Sequence, residues 1–205
     1  MFVIVRHGNT FAAGEPARRI GARTDLPLTA EGAAQAEALG AHFAETGMCF
    51  ARALVAPLRR AQETARFILA RQPSVLVPEA CDWLCEIDHG PDEDQPEDAV
   101  VARIGRDALA AWDRDAKAPP GWIVDADARK QAWRDLFAHA AGEASARPTL
   151  IVTSNGAARF ALLADPRLAA AMSALPSLKL PTGSYGVVRR DATGGLAVPL
   201  WGQRP

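Results

Sequence analysis

No apolar run in these 205 residues is long enough to cross a bilayer, and no basic segment precedes an apolar one near the amino end. Neither a membrane span nor a secretion signal is expected, and a cytoplasmic protein used without processing is the natural expectation. An excess of one charge is missing as well. The 23 Lys and Arg residues nearly balance 24 Asp and Glu, giving a formal net charge of −1. That balance offers no electrostatic reason to expect nucleic acid or an anionic membrane as a partner. Cysteine is scarce and odd in number: Cys49, Cys81 and Cys85 match neither a zinc site nor a C-x-x-C redox motif. They are expected as reduced thiols without a catalytic role. There is no internal repeat and no low-complexity tract. What remains, 49% apolar and 23% charged, is a globular mixture large enough for one domain, 1–205, with a sizeable core.

Short buried strands alternate with helices. Met1-Phe2-Val3-Ile4-Val5 is a continuous β-branched and aromatic run, the pattern of a strand covered on both faces, and Arg6-His7-Gly8 follows at once. A helix is expected from Glu31 to about Thr46, with Thr29 as N-cap and a stop at Gly47. Ala53–Ala56 reads as a second strand, followed by a helix from Leu58 to Ala70. Val75-Leu76-Val77 is a candidate third strand. Two helices follow, separated by Ala118-Pro119-Pro120-Gly121. One opens with Pro96 as its first residue and carries Val100, Ile104, Ala108 and Trp112; the other runs from about Asp125 to Ala141, with Trp133, Leu136, Phe137 and Ala140 inward. Thr149–Thr153 is a strong strand, followed by a helix Ala157–Ala164. Ser184–Val188 and Leu196–Leu200 read as late strands, the second at an edge because of Pro199. This alternation predicts an α/β fold, a three-layer α/β/α sandwich around a mostly parallel sheet.

In such sheets ligands bind at the carboxyl ends of the strands. Polar groups fall there at Arg6-His7, Arg59-Arg60, Glu86 and Ser154-Asn155. Guanidinium forks match phosphate oxygens and keep their charge. A histidine among them can attack phosphorus through one ring nitrogen while the other donates to a carbonyl, which fixes the tautomer. A carboxylic acid on a separate loop, its pKa raised by partial burial, can protonate the leaving alkoxide. The residues alone do not decide between Arg59 and Arg60. The acidic stretch Asp92-Glu93-Asp94 and Glu97-Asp98 is expected as a solvated loop, or else as a rim selecting a substrate with an amine. His42 and His139 are expected as surface or satisfied core residues, and His89 is left as a possible pocket residue.

Several ordered blocks carry a family resemblance. They are Arg6-His7-Gly8-x-Thr10 after the first strand, then Arg18-x-x-Gly21-x-x-Asp25-x-Pro27-Leu28-Thr29-x-x-Gly32-x-x-Gln35-Ala36. Further on come Ala56-Pro57-Leu58-Arg59-Arg60-Ala61-Gln62-Glu63-Thr64-Ala65 and Leu84-Cys85-Glu86. Together they resemble the histidine phosphatase superfamily, in its phosphoglycerate mutase-like branch. The resemblance implies that His7 becomes phosphorylated, Arg6 and Arg60 clamp the phosphoryl oxygens, and Glu86 serves as acid and then base. It turns Arg59 outward and places Arg18, Asn9 and Gly156 at the substrate. The sequence also departs from the pattern. Asn155 stands in a Ser-Asn-Gly turn where the family usually has histidine, Asn9 replaces an acidic residue or glutamine, and Ala13 replaces asparagine. An amide donates N–H but carries no charge, so one charge-assisted contact is weakened.

The expected activity is hydrolysis of a small phosphorylated metabolite, such as a sugar phosphate, through phosphohistidine. No metal or other cofactor is called for, since two arginines supply the charge neutralisation. A mutase is the alternative, disfavoured by the few basic residues of the 90–145 segment, which is expected as a helical cap governing specificity. A third reading is a phosphate-ligand binder with little turnover, motivated by Asn155.

Overall fold

The computed structural model of the chain describes residues 1–139 and 147–205. Six strands form one sheet: β1 (Phe2–Arg6), β2 (Arg52–Val55), β3 (Glu79–Ala80), β4 (Thr149–Thr153), β5 (Tyr185–Arg190) and β6 (Leu196–Gln203). Their order is β3-β2-β4-β1-β5-β6, with parallel pairing from β3 through β1 and antiparallel pairing from β1 to β6. Val3, Ile4 and Val5 of β1 have no exposed surface, as a strand covered on both faces requires. The two faces carry different helices. Phe2 meets Phe137 of α4 (Ala126–His139), with ring centroids 5.0 Å apart. Tyr185, directly opposite Val5, instead meets Phe43 of α1 (Ala30–Glu45) at 5.1 Å. Residues of opposite parity along β1 thus face opposite layers. The result is helices on both faces of a mixed, mostly parallel sheet.

Local signals set most helix ends. Thr29 Oγ accepts from Gly32 N–H to start α1, and Gly47 follows it at φ +68°. The helix α2 (Arg59–Leu69) has no acidic residue in its first turn, but Asp25 reaches over to accept from Arg59 N–H at 2.7 Å. Pro199 lies in β6, the edge strand. The loop after β1 approaches α1 so closely that Gly8 and Gly32 are both required. A Cβ at Gly8 would lie 2.2 Å from Gly32 O, and one at Gly32 would lie 2.1 Å from Asn9 O.

Several expectations need correcting. Val75 and Val77 form no strand and are 98% and 80% exposed; β3 starts only after Pro78, which has no N–H to give a ladder. Pro96 caps α3 (Glu97–Asp115) from outside, with extended ψ of 150°, and that helix is interrupted at Gly105. The helix expected from Ala157 begins earlier, as α5 (Asn155–Leu163). A further helix, α6 (Pro166–Ala171), is capped by Asp165, which accepts from Arg167 and Leu168 N–H. Trp133, Leu136 and Phe137 are buried as expected, whereas residues 140 and 141 lie outside the described residues. No helix among the described residues is long and apolar enough to cross a membrane.

Candidate active site

The site forms where β1 and β4 end. His7 follows β1 directly; its N–H donates to Thr153 O (3.0 Å), and its ring is 4% exposed. Nδ1 lies 2.8 Å from Gly8 O, and Arg60 Nε donates to Nε2 at 3.2 Å. A carbonyl can only accept and a guanidinium can only donate, so the two partners together select the neutral Nδ1–H tautomer. Burial, then the charges of Arg60 and Arg6, hold the His7 pKa well below the ordinary imidazole value. The ring is therefore neutral at neutral pH, with its Nε2 lone pair accepting from Arg60 Nε–H. The loop itself is tied down by Gly8 N–H donating to Thr64 Oγ (3.1 Å), whose hydroxyl donates to Arg60 O (2.7 Å).

Two arginines flank the ring. Arg6 Nη1 donates to Leu180 O at 2.7 Å, while its Nε is buried without a partner. A buried guanidinium N–H with no acceptor is free to donate to an anion's oxygen. Arg60 is wholly buried, and besides His7 it serves Thr24 O (2.6 Å) and Gly21 O (3.0 Å). Its place in the first turn of α2 opposes the helix dipole, and these three acceptors explain the use. Arg59 is 59% exposed and pairs with Glu63, so neighbours in sequence have entirely different surroundings.

Glu86 is 8% exposed, with Oε1 accepting from Ile87 N–H (2.8 Å) and Oε2 from Gly156 N–H (3.1 Å). A Cβ at Gly156 would lie 2.3 Å from Oε1, so glycine is what lets the start of α5 reach the carboxylate. The expectation of a raised Glu86 pKa is overturned. Burial does push it up, but the His89 charge, the two backbone N–H groups and Arg60 outweigh burial and leave it below the ordinary value.

His7, Arg6, Glu86, Asn155, Gly156, Asn9 and Arg18 all border one cavity of about 360 Å³; Arg60 stands behind His7. Asn155 Oδ1 accepts from Leu180 N–H at 2.9 Å, which leaves its NH₂ as the available end. The Asn9 side chain is engaged locally, donating to Phe11 O (3.2 Å) and Glu31 (3.3 Å). Arg18 pairs with Asp94 at 3.0 Å. Three larger cavities, of about 740 Å³ beside α2, 650 Å³ beside α6 and 380 Å³ beside α3, contain none of these groups. No group of three or more His, Cys, Asp or Glu among the described residues is placed to hold a metal ion.

The acidic stretch is only in part the expected solvated loop: Glu97 and Asp98 are exposed, but the Asp92 and Glu93 side chains are buried. Asp92 is 2% exposed, paired with Arg103 and accepting from Trp122 Nε1 (2.7 Å). Glu93 accepts from Gly21 N–H, Arg23 N–H, the Thr24 hydroxyl and His89 N–H. Glu97 pairs with Arg19. His89, left open as a pocket residue, borders the cavity at 5% exposure, and Glu97 of the acidic stretch lies at its wall. Other contributors were not foreseen, among them Trp112, Asp113 and Lys179 at the wall. Arg129 of α4 donates to Cys85 O (2.7 Å), Trp83 O and Glu86 O, pinning the loop that carries Glu86. Arg159 is wholly buried on α5, donating to Trp112 O (2.6 Å) and Asp113. His42 and His139 are satisfied away from the site, by the Tyr185 hydroxyl and Asp135 O.

A neutral imidazole at a parallel strand's carboxyl end, between two guanidinium groups and bordering a carboxylate-lined cavity, is the equipment of a protein that handles an oxyanion such as a phosphoryl group. The model of the histidine phosphatase superfamily (branch 1) matches residues 2–202. The chain is 32% identical over 170 residues to the 2,3-bisphosphoglycerate-dependent phosphoglycerate mutase 2 of Gloeobacter violaceus, covering 80% of this chain and 74% of that protein. Its fold is shared with a mycobacterial glucosyl-3-phosphoglycerate phosphatase, at a TM-score of 0.75 and 20% identity over 100% of this chain and 99% of the other. The same holds for the α-ribazole phosphatase of Shigella flexneri, with a TM-score of 0.71, 22% identity and coverage of 99% and 96%. The chain belongs to the histidine phosphatase superfamily, branch 1.

Proposed function

We propose that this protein is a phosphomonoester hydrolase that acts on a small phosphorylated metabolite through a phosphohistidine at His7. The observation that carries the reading is the tautomer lock. Gly8 O accepts from Nδ1–H and Arg60 Nε–H donates to Nε2, so a neutral nucleophile is presented between two cations. Nε2 attacks phosphorus, the N–P bond forms and the ester P–O bond breaks. The leaving oxygen takes a proton from Glu86. Arg6 Nε–H, and Arg60 Nε–H once released from the ring nitrogen, donate to phosphoryl oxygens and neutralise their charge. Water then attacks phosphorus, the N–P bond breaks, and Glu86 receives the water's proton.

Glu86 is ionised in the free protein, so it has to take up a proton from solvent as the substrate binds. A phosphate dianion beside it adds a like charge, which raises a carboxyl pKa. The acid thus forms where and when it is needed.

Hydrolysis is favoured over phosphotransfer by the cavity's outer charges. Arg18 pairs with Asp94, Arg19 with Glu97 and Lys179 with Asp113, so these cations are already neutralised where a second phosphate would sit. Mutase activity remains the second reading because of the 32% identical relative. A panel of phosphomonoesters, followed by a search for acid-labile phosphate on His7, separates the two. Inorganic phosphate release abolished by His7→Ala supports hydrolysis, whereas phosphate passed to a second metabolite supports the mutase. Phosphate binding without labelling or turnover would leave only a binder.

A further inference from the structure

The proposed reaction leaves one imidazole of the cavity unused. His89 sits three residues beyond Glu86, is 5% exposed, and borders the same cavity as His7, Glu86 and Asn155. Two neighbours fix its ring. Trp122 meets it edge to face, with centroids 4.4 Å apart, and Glu93 Oε2 lies 3.6 Å from Nδ1. Nδ1 is buried and makes no hydrogen bond at that distance, so Glu93 meets it as an ion-pair neighbour only. Nε2 is bonded to no described residue and is not among the buried atoms, which leaves it as the ring's open end.

The carboxylate beside Nδ1 cannot swing away. Glu93 is 7% exposed and fixed by the Gly21, Arg23 and His89 N–H groups and the Thr24 hydroxyl. Between a fixed carboxylate at Nδ1 and a phosphoryl dianion at Nε2, the ring holds a proton on each nitrogen, so that Nε2–H is a charged donor. Across the cavity, Asn155 offers a different group: its oxygen is committed to Leu180 N–H, and its NH₂ is neutral. The Ser-Asn-Gly turn, which resembles one that usually holds histidine, thus lacks a charged donor, while an imidazole backed by a carboxylate stands nearby on another loop.

We infer that His89 is a further catalytic residue of this site, donating its Nε2–H to an oxygen of the substrate's phosphoryl group and strengthening that bond as charge builds up in transfer. The inference rests on phosphoryl transfer at His7, and its test is arranged so that the two can fail separately.

The test compares the wild type with His89→Phe, His89→Gln, Asn155→His and the double variant His89→Phe/Asn155→His. Phenylalanine keeps a ring against Trp122, and residue 89 keeps its backbone N–H on Glu93, so packing is conserved while the donor is lost. Turnover of nitrophenyl phosphate and the affinity for orthovanadate are measured for each. His89→Phe should lower kcat by about 10²-fold, as loss of one oxyanion donor does, with a much smaller change in KM and weaker vanadate binding. His89→Gln, which retains an N–H, should fall between. Asn155→His should restore at least about tenfold of the loss in the His89→Phe background, a larger factor than it gains in the wild-type background. A His89→Phe kcat within threefold of the wild type overturns the inference, as does an equal gain from Asn155→His in both backgrounds. If the wild type turns over no ester, phosphoryl transfer at His7 fails. Vanadate affinity then decides the contact, and equal binding by wild type and His89→Phe overturns it.

Discussion

Replacing Glu93 by glutamine tests whether the acidic stretch is a structural fastener. Oε1 of this carboxylate accepts from Gly21 N–H (2.8 Å), Arg23 N–H (3.1 Å) and the Thr24 hydroxyl (2.7 Å), and Oε2 from His89 N–H (3.2 Å). Arg60 takes the opposite polarity of the same loop, Gly21 O and Thr24 O. An anion and a cation therefore hold residues 21–24 from two sides. Burial raises the Glu93 pKa, but the converging donors more than offset it and bring it from 4.5 down to about 2. The folded pKa is depressed, so stability is fully present above the unfolded value near 4.5 and is lost as pH falls through the folded value near 2. A shift of that size corresponds to about 3 kcal/mol at neutral pH. Glutamine has one accepting oxygen and must turn its NH₂ towards one set of donors, so Glu93→Gln should cost about 3 kcal/mol at pH 7. Equilibrium urea unfolding of both proteins at pH 7 and pH 3 measures this. The difference should be less than half as large at pH 3. A cost below about 0.5 kcal/mol at pH 7, or one undiminished at pH 3, refutes the reasoning.

Three other substitutions probe the site's parts. Glu86→Gln should slow alkyl phosphates far more than nitrophenyl phosphate, whose leaving group hardly needs a proton; equal slowing of both in steady-state assays counts against Glu86 as the acid. Arg129→Met removes the donor that gathers Trp83, Cys85 and Glu86 carbonyls, so kcat should fall roughly tenfold or more through misplacement of Glu86. Unchanged kcat there would mean that the Glu86 loop is rigid without it. Gly8→Ala places a Cβ 2.2 Å from Gly32 O, where backbone has to move. A loss of at least about 2 kcal/mol in thermal or urea unfolding is expected, and a neutral effect would show that the loop and α1 can separate.

The readability of this chain follows the range over which each interaction acts. β1, the Thr29 cap and the Gly47 stop were legible because apolar runs, caps and helix-ending glycines are encoded within a few residues. The acidic stretch misled for the opposite reason. Local composition shows five carboxylates but not the arginines at 18, 19 and 103 that meet three of them. Arg59 and Arg60 were inseparable by residue type, and the pattern of the family, not the physics of two adjacent arginines, pointed to the second. Val75–Val77 had strand-like residues, yet prolines at 73 and 78 enclose it, and Val75 and Val77 face solvent while Leu76 packs against the core. Arg159 left a signal that went unused, a lone charge inside Ala157-Ala158-Arg159-Phe160-Ala161-Leu162. A buried arginine must find partners, so such a run invites a search for acceptors. Arg129 left none, because it sits in a polar helix start where an exposed arginine would look the same.

The charge state of Glu86 draws these observations into one argument. A general acid held ionised looks unsuited to its task, and sequence reasoning had expected the reverse. Yet the groups that ionise it, the Gly156 N–H, His89 and Arg60, are those beside which a phosphoryl group would lie in the proposed reaction. Arrival of a dianion engages the cations and donors that had favoured the carboxylate, and its own charge opposes Glu86's. Both changes push the Glu86 pKa upward at the moment of binding. A site with Glu86 permanently protonated would lack the base that the second half of hydrolysis requires. One whose proton affinity follows the phosphoryl charge can supply the acid first and recover the base once the alcohol has left, so the depressed value in the free protein fits a two-step hydrolase better than a binder.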